Sequence, residues 1–506
     1  MRVIAGAEER GPIVSAAISL SALAVLFLTI PLGLPVLEVS ALVAATVVAA
    51  LGYRTLLRWQ ALLALTILVI LFVPIKRYAL PGNLPFDLEP YRLIVMLVVA
   101  GWLSSLLIDP RVRLRASGFE APVLLVVLGA VASVLVNRAR VSELEVQGEV
   151  VKGLMFLVSF FLVFYLIVSV VRTRAQIDFL VKVLVAGGMV VGIFAVVESR
   201  TGYNVFEHLG SAVPFLVDVD VRTGEVDTRG GHLRAYGSSQ SPIALGAALV
   251  MLIPLAIYLI RRTHAPIWWA AGVLLCLGSL ASLTRTTVVT LIPLGLVFLW
   301  LRPRETKRLW PVLIPLVCVA YFAVPGTIGT IRGAFFPEGG LIAEQSKNAG
   351  YQGSGRIADL DPALAEWAER PLLGQGYSTR QTGRENRQTQ ILDNQWLKTL
   401  LETGAVGVFA WLWLYGRYVR RLGAAARRDH SDRGLLLVGL AASVAAYAVG
   451  MFLYDAFSFI QVTFLLFILL GLGAAVLAAR DGARAPARAA PAGPRSGLIP
   501  KTSTPG

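Results

Sequence analysis

Long apolar runs recur along almost the whole chain and are separated by short polar connections. The hydrocarbon core of a bilayer is crossed by about 20 helical residues, and a chain inside lipid satisfies its backbone hydrogen bonds within its own helices. The pattern therefore predicts an all-α fold, a polytopic transmembrane helix bundle of about 12–14 spans. The candidate spans are residues 12–34, 36–53, 60–78, 91–108, 119–136, 150–171, 178–198, 243–260, 266–283, 286–301, 309–325, 404–419, 434–454 and 457–479.

Two polar segments interrupt this series of apolar runs. The shorter covers residues 199–242, and the longer covers residues 326–403. Long connections of this kind are usually functional or disordered. We therefore predict an N-terminal bundle, a first loop, a central group of helices, a large catalytic loop, a C-terminal group of helices and a disordered tail, at residues 1–198, 199–242, 243–325, 326–403, 404–479 and 480–506.

The longer loop has a helical pattern of its own. Apolar residues recur at helical spacing, acidic residues occupy other positions, and Pro362 is expected to start or kink the helix. The spacing predicts an amphipathic helix that lies on the membrane surface or covers the end of the bundle. Its apolar positions are Ile357, Leu360, Leu364 and Trp367.

Basic residues favour one side of the predicted bundle. With the N-terminus inside the cell, arginines fall in alternate connections, and the densest cluster lies between Arg417 and Arg433. Residues 79–90, on the other side, contain no basic residue. Cytoplasmic loops are enriched in Lys and Arg. We therefore predict a protein of the cytoplasmic (inner) membrane, with both termini cytoplasmic, both long loops on the outer face, and a basic tail near anionic membrane lipids.

Composition agrees with a membrane protein. Of the 506 residues, 56% are hydrophobic and 15% are charged, whereas about a quarter of the residues in soluble proteins are charged. Cytoplasmic arginines account for the net charge of +15, so no nucleic-acid partner is expected. Cys276, Cys318 and the four histidines show no metal-ligand spacing, and neither a metal nor a cofactor is predicted.

Three arginines are candidates for binding an anion at the outer end of the bundle. Arg234 precedes a span within RAYGSSQSP, Arg285 stands between two apolar runs within SLTRTT, and Arg356 begins the amphipathic helix within GSGR. A guanidinium group binds phosphate through parallel hydrogen bonds and stays charged. For Arg285 the alternative is a side chain that extends to lipid phosphates at the membrane interface.

Polar residues near the end of the long loop form a second candidate group. Gly374 and Gly376, within GQG, are either an ordinary turn or an anion-binding nest of backbone N–H groups. Asp393 and Asn394 stand at the entry to a helix, and Asp393 is either its N-cap or a carboxylate base. Glu402, further along that helix, is expected to be buried and paired.

The order of these segments resembles the O-antigen ligase and polymerase superfamily. The resemblance rests on RAYGSSQSP, SLTR, GSGR, ERPLLGQG and DNQWLKTLLETGAVG, and it covers roughly residues 230–420. It implies a fold similar to the class C glycosyltransferases. It also implies an enzyme that takes a glycan from a polyprenyl diphosphate donor and transfers it to a glycan or lipid acceptor, or polymerises it. A chain-length regulator protein is a further expected partner.

The resemblance also implies roles for individual residues. Arg234 and Arg285 match arginines that bind the donor diphosphate, and Arg356 matches the arginine that begins the helix of the loop. Asn394, Gly374 and Gly376 are expected to help bind the substrate. Asp393 stands where the ligases often have a histidine that activates the acceptor hydroxyl, which favours the polymerase or exopolysaccharide branches; His232 is an alternative base.

A flippase for lipid-linked oligosaccharides is the main alternative to this enzyme, and a structural membrane protein is another. A flippase would also combine many spans with a basic cavity, but it usually lacks one dominant outer loop. Here the candidate residues concentrate at the outer end of the bundle and in that loop. The sequence therefore favours an inverting glycan polymerase or ligase over a transporter.

Overall fold

The computed structural model describes residues 58–81, 88–110, 112–219, 228–229, 231–324, 329, 332–333, 335–336, 359–380 and 392–483. Within these ranges the strands are two short antiparallel pairs, β1 (Tyr78–Ala79) with β2 (Val217–Asp218) and β3 (Thr228–Arg229) with β4 (His232–Leu233). The helices are α1 (Trp59–Phe72), α2 (Pro90–Ile108), α3 (Glu120–Val136), α4 (Arg138–Glu143), α5 (Gln147–Val170), α6 (Arg174–Thr201), α7 (Leu209–Ala212), α8 (Pro242–Thr263), α9 (Pro266–Ala281), α10 (Arg285–Leu301), α11 (Pro303–Ala323), α12 (Leu360–Glu369), α13 (Gln395–Arg427), α14 (Asp432–Gly450) and α15 (Ile460–Ala483).

The all-α prediction is confirmed, and each predicted span within the described residues overlaps a helix, although the helix at the span predicted for residues 60–78 already ends at Phe72. Seven helices of this part of the chain are long and apolar enough to cross a membrane, namely α2, α5, α6, α8, α13, α14 and α15. Helices α1, α3, α9 and α10 are apolar but shorter, and α11 begins with a charged turn. The predicted spans at residues 12–34 and 36–53 lie outside the described residues.

Polar contacts between the ends of the long helices define two ends of the bundle. We call one of them the basic end, because the arginines of the α2–α3 connection, of the last turn of α8 and of the α13–α14 connection lie there. Buried Arg302 donates to the carbonyl oxygen of Ala426 at 2.8 Å, and Arg421 donates to that of Gly118 at 2.8 Å. The carbonyl groups at the C-terminal end of a helix carry a partial negative charge, so an arginine beside them is favoured electrostatically. The carbonyl of Ala426 in α13 is one of these groups.

The opposite end, which we call the loop end, holds all the described candidate site residues. The segment before α8 contacts the start of α15, because the backbone N–H of Ile460 donates to Gln240 at 2.9 Å. The start of α13 contacts the end of α14, because the backbone N–H of Gln395 donates to Met451 at 2.7 Å. Segments far apart in sequence are therefore joined at one end of the bundle.

Aromatic side chains fill the core between α5, α13 and α15. Phe160 packs edge-on against Phe464 with ring centroids 4.7 Å apart, and Phe161 packs against Phe467 at 5.0 Å. Trp411 of α13 stacks on Phe161. Edge-to-face pairs of this kind add to the stabilisation from apolar burial, so these three helices form a rigid support beneath the loop end.

Helix α13 is interrupted at Gly404. Its 33 residues would form a continuous helix about 50 Å long, well beyond the roughly 30 Å core of a bilayer. At Gly404 the backbone adopts φ 65° and ψ −164°, a conformation that is essentially restricted to glycine. The break separates the first two to three turns of α13, which begin at Gln395, from the longer part of the helix.

Residues 371–376 occupy the break in α13. Gly374, with φ 64°, lets this segment approach closely, because a Cβ at this position would lie 2.5 Å from the carbonyl oxygen of Leu401. Hydrogen bonds then run in both directions between the two backbones. The N–H groups of Gln375 and Gly376 donate to the carbonyls of Leu401 and Glu402 at 2.8 and 3.1 Å, and those of Ala405 and Val406 donate to Pro371 and Leu372 at 2.9 and 3.2 Å.

We expect Gly404→Ala to destabilise the protein by at least about 2 kcal/mol, because alanine is strained at this φ and its Cβ would overlap the carbonyl of Leu372. Gly416→Ala is the matched control in the same helix, since a Cβ at Gly416 meets no atom within 4 Å. The control should change stability by no more than about 1 kcal/mol. Thermal unfolding of the detergent-purified variants measures both effects, and equal midpoints would contradict the role of the break.

Candidate functional site

Arg285 is the first residue of α10 and follows a turn that hydroxyl groups hold together. The N-cap Thr284 accepts a hydrogen bond from the backbone N–H of Thr287 at 3.3 Å. The hydroxyl groups of Thr284 and Thr287 lie 2.7 Å apart, and that of Ser282 lies 3.2 Å from Thr284. This buried network fixes the direction in which α10 begins and so the position from which Arg285 extends.

The segment that carries Arg234 packs against that same turn. The half-buried Arg234 donates from Nε to the carbonyl oxygen of Ser282 at 3.4 Å. The backbone N–H of Ala235 donates to Ala281 at 3.1 Å. The structure therefore brings together the two segments that carry the candidate arginines Arg234 and Arg285. Arg356 lies outside the described residues.

The N-cap of α13 is Asn394, whose side chain accepts the backbone N–H of Leu397 at 3.1 Å. The interpretation of Asp393 as the N-cap is therefore wrong. Both side chains suit an N-cap, but the chain enters the helix one residue later than that interpretation requires. Asp393 directly precedes the cap and is half-buried.

A cavity of about 670 Å³ joins Arg285 to Asn394. Its other walls are almost entirely apolar and come mainly from α10, the amphipathic helix α12, the two parts of α13 and the segment that follows α14. The cavity therefore has two polar groups beside a long apolar surface. Its apolar lining consists of Val289, Phe335, Leu360, Leu364, Trp396, Leu397, Leu400, Val408, Leu412, Phe452 and Leu453.

The predicted helix in the long loop is present as α12 and packs on the start of α13. Ala363 is fully buried and forms a small cluster with Leu392, Leu397 and Leu401. Leu360 and Leu364 stay partly exposed and face the cavity. Helix α12 thus covers the first part of α13, before the break, and supplies one wall of the candidate site. Ile357 lies outside the described residues.

The backbone N–H groups of Gly374 and Gly376 are used within the protein. They donate to the carbonyls of Arg370 and Glu402, each at 3.1 Å. An anion-binding nest would need these same donors, so the structure does not support that interpretation of GQG. The two glycines instead shape the segment that fills the break in α13.

His232 lies in β4 and is half-buried, two residues before Arg234.

Sequence reasoning missed an ion pair that holds the start of α13. Lys398, which is 8% exposed, lies 2.9 Å from Asp455 in the α14–α15 connection. Gln395 accepts the backbone N–H of Phe457 from the same connection at 2.9 Å. No sequence signal joins residues 57 positions apart in this way. The pair and the amide bond fix the turn that carries Asp393 and Asn394.

Glu402 lies beside this ion pair and is 4% exposed, so its predicted burial is confirmed. Backbone N–H groups of Ser378 and Arg380 face its carboxyl group, and Lys398 is the cation that acts on it. Tyr377 and Glu402 both line one small internal cavity. Burial and the charge of Glu402 raise the pKa of the Tyr377 hydroxyl, so the hydroxyl stays protonated at physiological pH.

We expect Lys398→Met to destabilise the protein by about 3 kcal/mol, because it leaves Asp455 without its cation in a poorly hydrated place. Lys398→Met combined with Asp455→Leu should cost less than the two single changes added together. The exposed Arg174, 3.8 Å from Asp432, supplies the control Arg174→Met, with an expected cost below about 1 kcal/mol. Thermal unfolding measures all four variants, and strict additivity would contradict the pairing.

Residues 270–412 match the family model described as O-antigen ligase. Over these residues the chain is thus similar to the O-antigen ligase family, and its long apolar helices are those of a multi-pass membrane protein. The match includes Arg285 and the α13 entry with Asp393 and Asn394, whereas Arg234 lies before it. No curated protein sequence is significantly similar to the chain.

Proposed function

We propose that the protein is a membrane glycosyltransferase that uses a polyprenyl-diphosphate-linked oligosaccharide at the outer face of the cytoplasmic membrane. It transfers the glycan to a glycan or lipid acceptor, or polymerises it, with inversion at the anomeric carbon. The observation that carries this proposal is the cavity in which Arg285 and Asn394 adjoin a long apolar wall.

The chemistry of the cavity suits an amphiphile with an anionic head. A polyprenyl diphosphate consists of a long hydrocarbon and a doubly phosphorylated end. The apolar lining from α12, α13 and the segment that follows α14 would cover part of the hydrocarbon, and burial of apolar surface favours binding. Arg285 at one side of the cavity would bind the diphosphate through charge-assisted hydrogen bonds.

In the proposed reaction the acceptor hydroxyl oxygen attacks the anomeric carbon of the donor glycan. The bond from that carbon to the diphosphate oxygen breaks, and the diphosphate leaves with the electron pair. Arg234, Arg285 and Arg356 would stabilise the charge that develops on the leaving group. Asp393 would accept the proton of the attacking hydroxyl as general base, and Asn394 would help to orient the acceptor.

The charge distribution supports an outer-face site. Arginines concentrate at the basic end of the bundle, at the opposite end from Arg234, Arg285 and Asp393. Because basic connections favour the cytoplasm, the loop end would face outwards and both termini would be cytoplasmic. A donor presented on the outer leaflet would reach the cavity without crossing the membrane.

We expect Arg285→Ala to abolish long-chain surface glycan in a deletion strain, because the leaving diphosphate loses a cation at the cavity. Gels of surface glycan and of lipid-linked intermediates are the measurement. Single lipid-linked units outside the cell indicate a polymerase, and long chains that remain on the carrier indicate a ligase. Full-length surface glycan from Arg285→Ala would contradict the role of Arg285, and units trapped inside would indicate a flippase.

We expect Asp393→Asn to lower turnover about 10²- to 10⁴-fold, the usual contribution of a general base. Donor binding should change little, because Asn keeps the shape of the side chain. Asp393→His should retain part of the activity, since histidine is also a general base. Asp361→Asn, at an exposed position of α12, is the matched control and should turn over normally. Near-normal turnover by Asp393→Asn would exclude Asp393 as the base.

A further inference from the structure

Glu198 is a buried carboxylate that the proposed reaction does not use. It lies in the last turn of α6 and is 5% exposed. The C-terminal end of a helix disfavours a negative charge, and burial of an ionised group requires hydrogen-bonded partners. A carboxylate retained in this place therefore needs strong local compensation.

Three N–H groups supply that compensation, and all belong to the loop end. The side-chain amide of Asn204 and the backbone N–H of Tyr236 donate to Oε1 of Glu198 at 3.1 and 3.2 Å. The backbone N–H of Gly237 donates to Oε2 at 2.8 Å. Asn204 also donates to the carbonyl of Gly237 at 3.0 Å. The carboxylate thus binds the backbone two and three residues after Arg234.

The side chain of Tyr236 is anchored as well. Its hydroxyl donates to Glu207, which also accepts from the buried Arg77 at 2.7 Å. Burial and this hydrogen bond raise the pKa of the Tyr236 hydroxyl, so it remains a donor. Arg77 in turn lies 3.2 Å from Asp218 of β2. The backbone of Tyr236 and Gly237 and the side chain of Tyr236 are therefore held by acidic groups.

We propose that Glu198 is a positioning residue that fixes the RAYG segment so that Arg234 meets the donor diphosphate; this inference rests on the proposed function. The segment is held on one side by Glu198 and on the other by the carbonyls of Ala281 and Ser282. Only a group with two acceptor oxygens serves all three donors. In Glu198→Gln, one oxygen becomes an NH₂ group that faces N–H donors, so the segment loses part of its anchor.

The test measures binding of polyprenyl diphosphate to the purified full-length protein in nanodiscs, together with turnover at saturating donor. We expect Glu198→Gln to raise the Kd about tenfold and to lower saturated turnover no further than Arg234→Ala does, because a displaced Arg234 also stabilises the leaving diphosphate less well. Arg234→Ala should raise the Kd at least as much. The double variant Glu198→Gln/Arg234→Ala should bind no more weakly than Arg234→Ala alone, because Glu198 acts through Arg234.

Asp178→Asn is the matched control, because it also replaces a carboxylate by an amide in α6. Asp178 lies near the basic end of α6, 3.5 Å from Arg262, and its variant should bind the donor normally. A merely structural role of Glu198 would lower the thermal unfolding midpoint without the change in Kd. Should Glu198→Gln fail to fold, Asn204→Ala takes its place, since it removes a bond to the carboxylate of Glu198 and a bond to the carbonyl of Gly237 in the segment.

The outcomes separate this inference from the proposed function. The role of Glu198 alone would be overturned if Arg234→Ala bound the donor more weakly but Glu198→Gln bound it normally. The same would follow if the binding losses of the two single variants added up in the double variant. Failure of the unsubstituted protein to bind polyprenyl diphosphate, or normal binding by Arg234→Ala, would overturn the proposed binding of the diphosphate by Arg234. Weaker binding by Glu198→Gln without a further loss in the double variant supports the inference.

Discussion

The break in α13 is the feature on which the arrangement of the candidate site depends. A transmembrane helix ordinarily satisfies its own backbone groups, but the break at Gly404 exposes carbonyl and N–H groups that need partners. Residues 371–376 provide them in both directions. The long loop is thereby attached to the bundle through backbone hydrogen bonds. These bonds do not depend on the side chains, except that the glycines permit the close approach of the two backbones.

Further contacts surround the break in α13 and the segment that occupies it. Asn137 of the α3–α4 junction donates to the carbonyl of Gly374 at 3.0 Å, and Ser133 donates to that of Glu402 at 2.6 Å. Helix α12 packs on the first part of α13 through Ala363. Because the loop is fixed at these points, α12 can serve as a wall of the cavity opposite Arg285, and the turn with Asp393 keeps its direction.

Local patterns in the sequence were enough to predict the helices and the charge difference between the two ends of the bundle. Apolar runs marked the spans, and the spacing of Leu360, Leu364 and Trp367 marked α12. The contacts that hold the site could not be predicted in this way. Glycines in GQG suit a nest, a turn or a close backbone approach equally well, and only the break in α13 decides among them. The partnership of Lys398 with Asp455, like that of Glu198 with the RAYG segment, arises from helix packing and leaves no local pattern.

The helix termini give the proposed diphosphate site an electrostatic basis beyond its arginines. Helices α10 and α13 both begin at the cavity, with Arg285 at the first position of one and Asn394 as the N-cap of the other. The N-terminus of a helix carries a partial positive charge and favours anions. Two such termini facing one cavity reinforce a guanidinium group in the same place. The apolar walls limit screening by water, so each of these charges would act more strongly on a bound diphosphate than on the same group in solution.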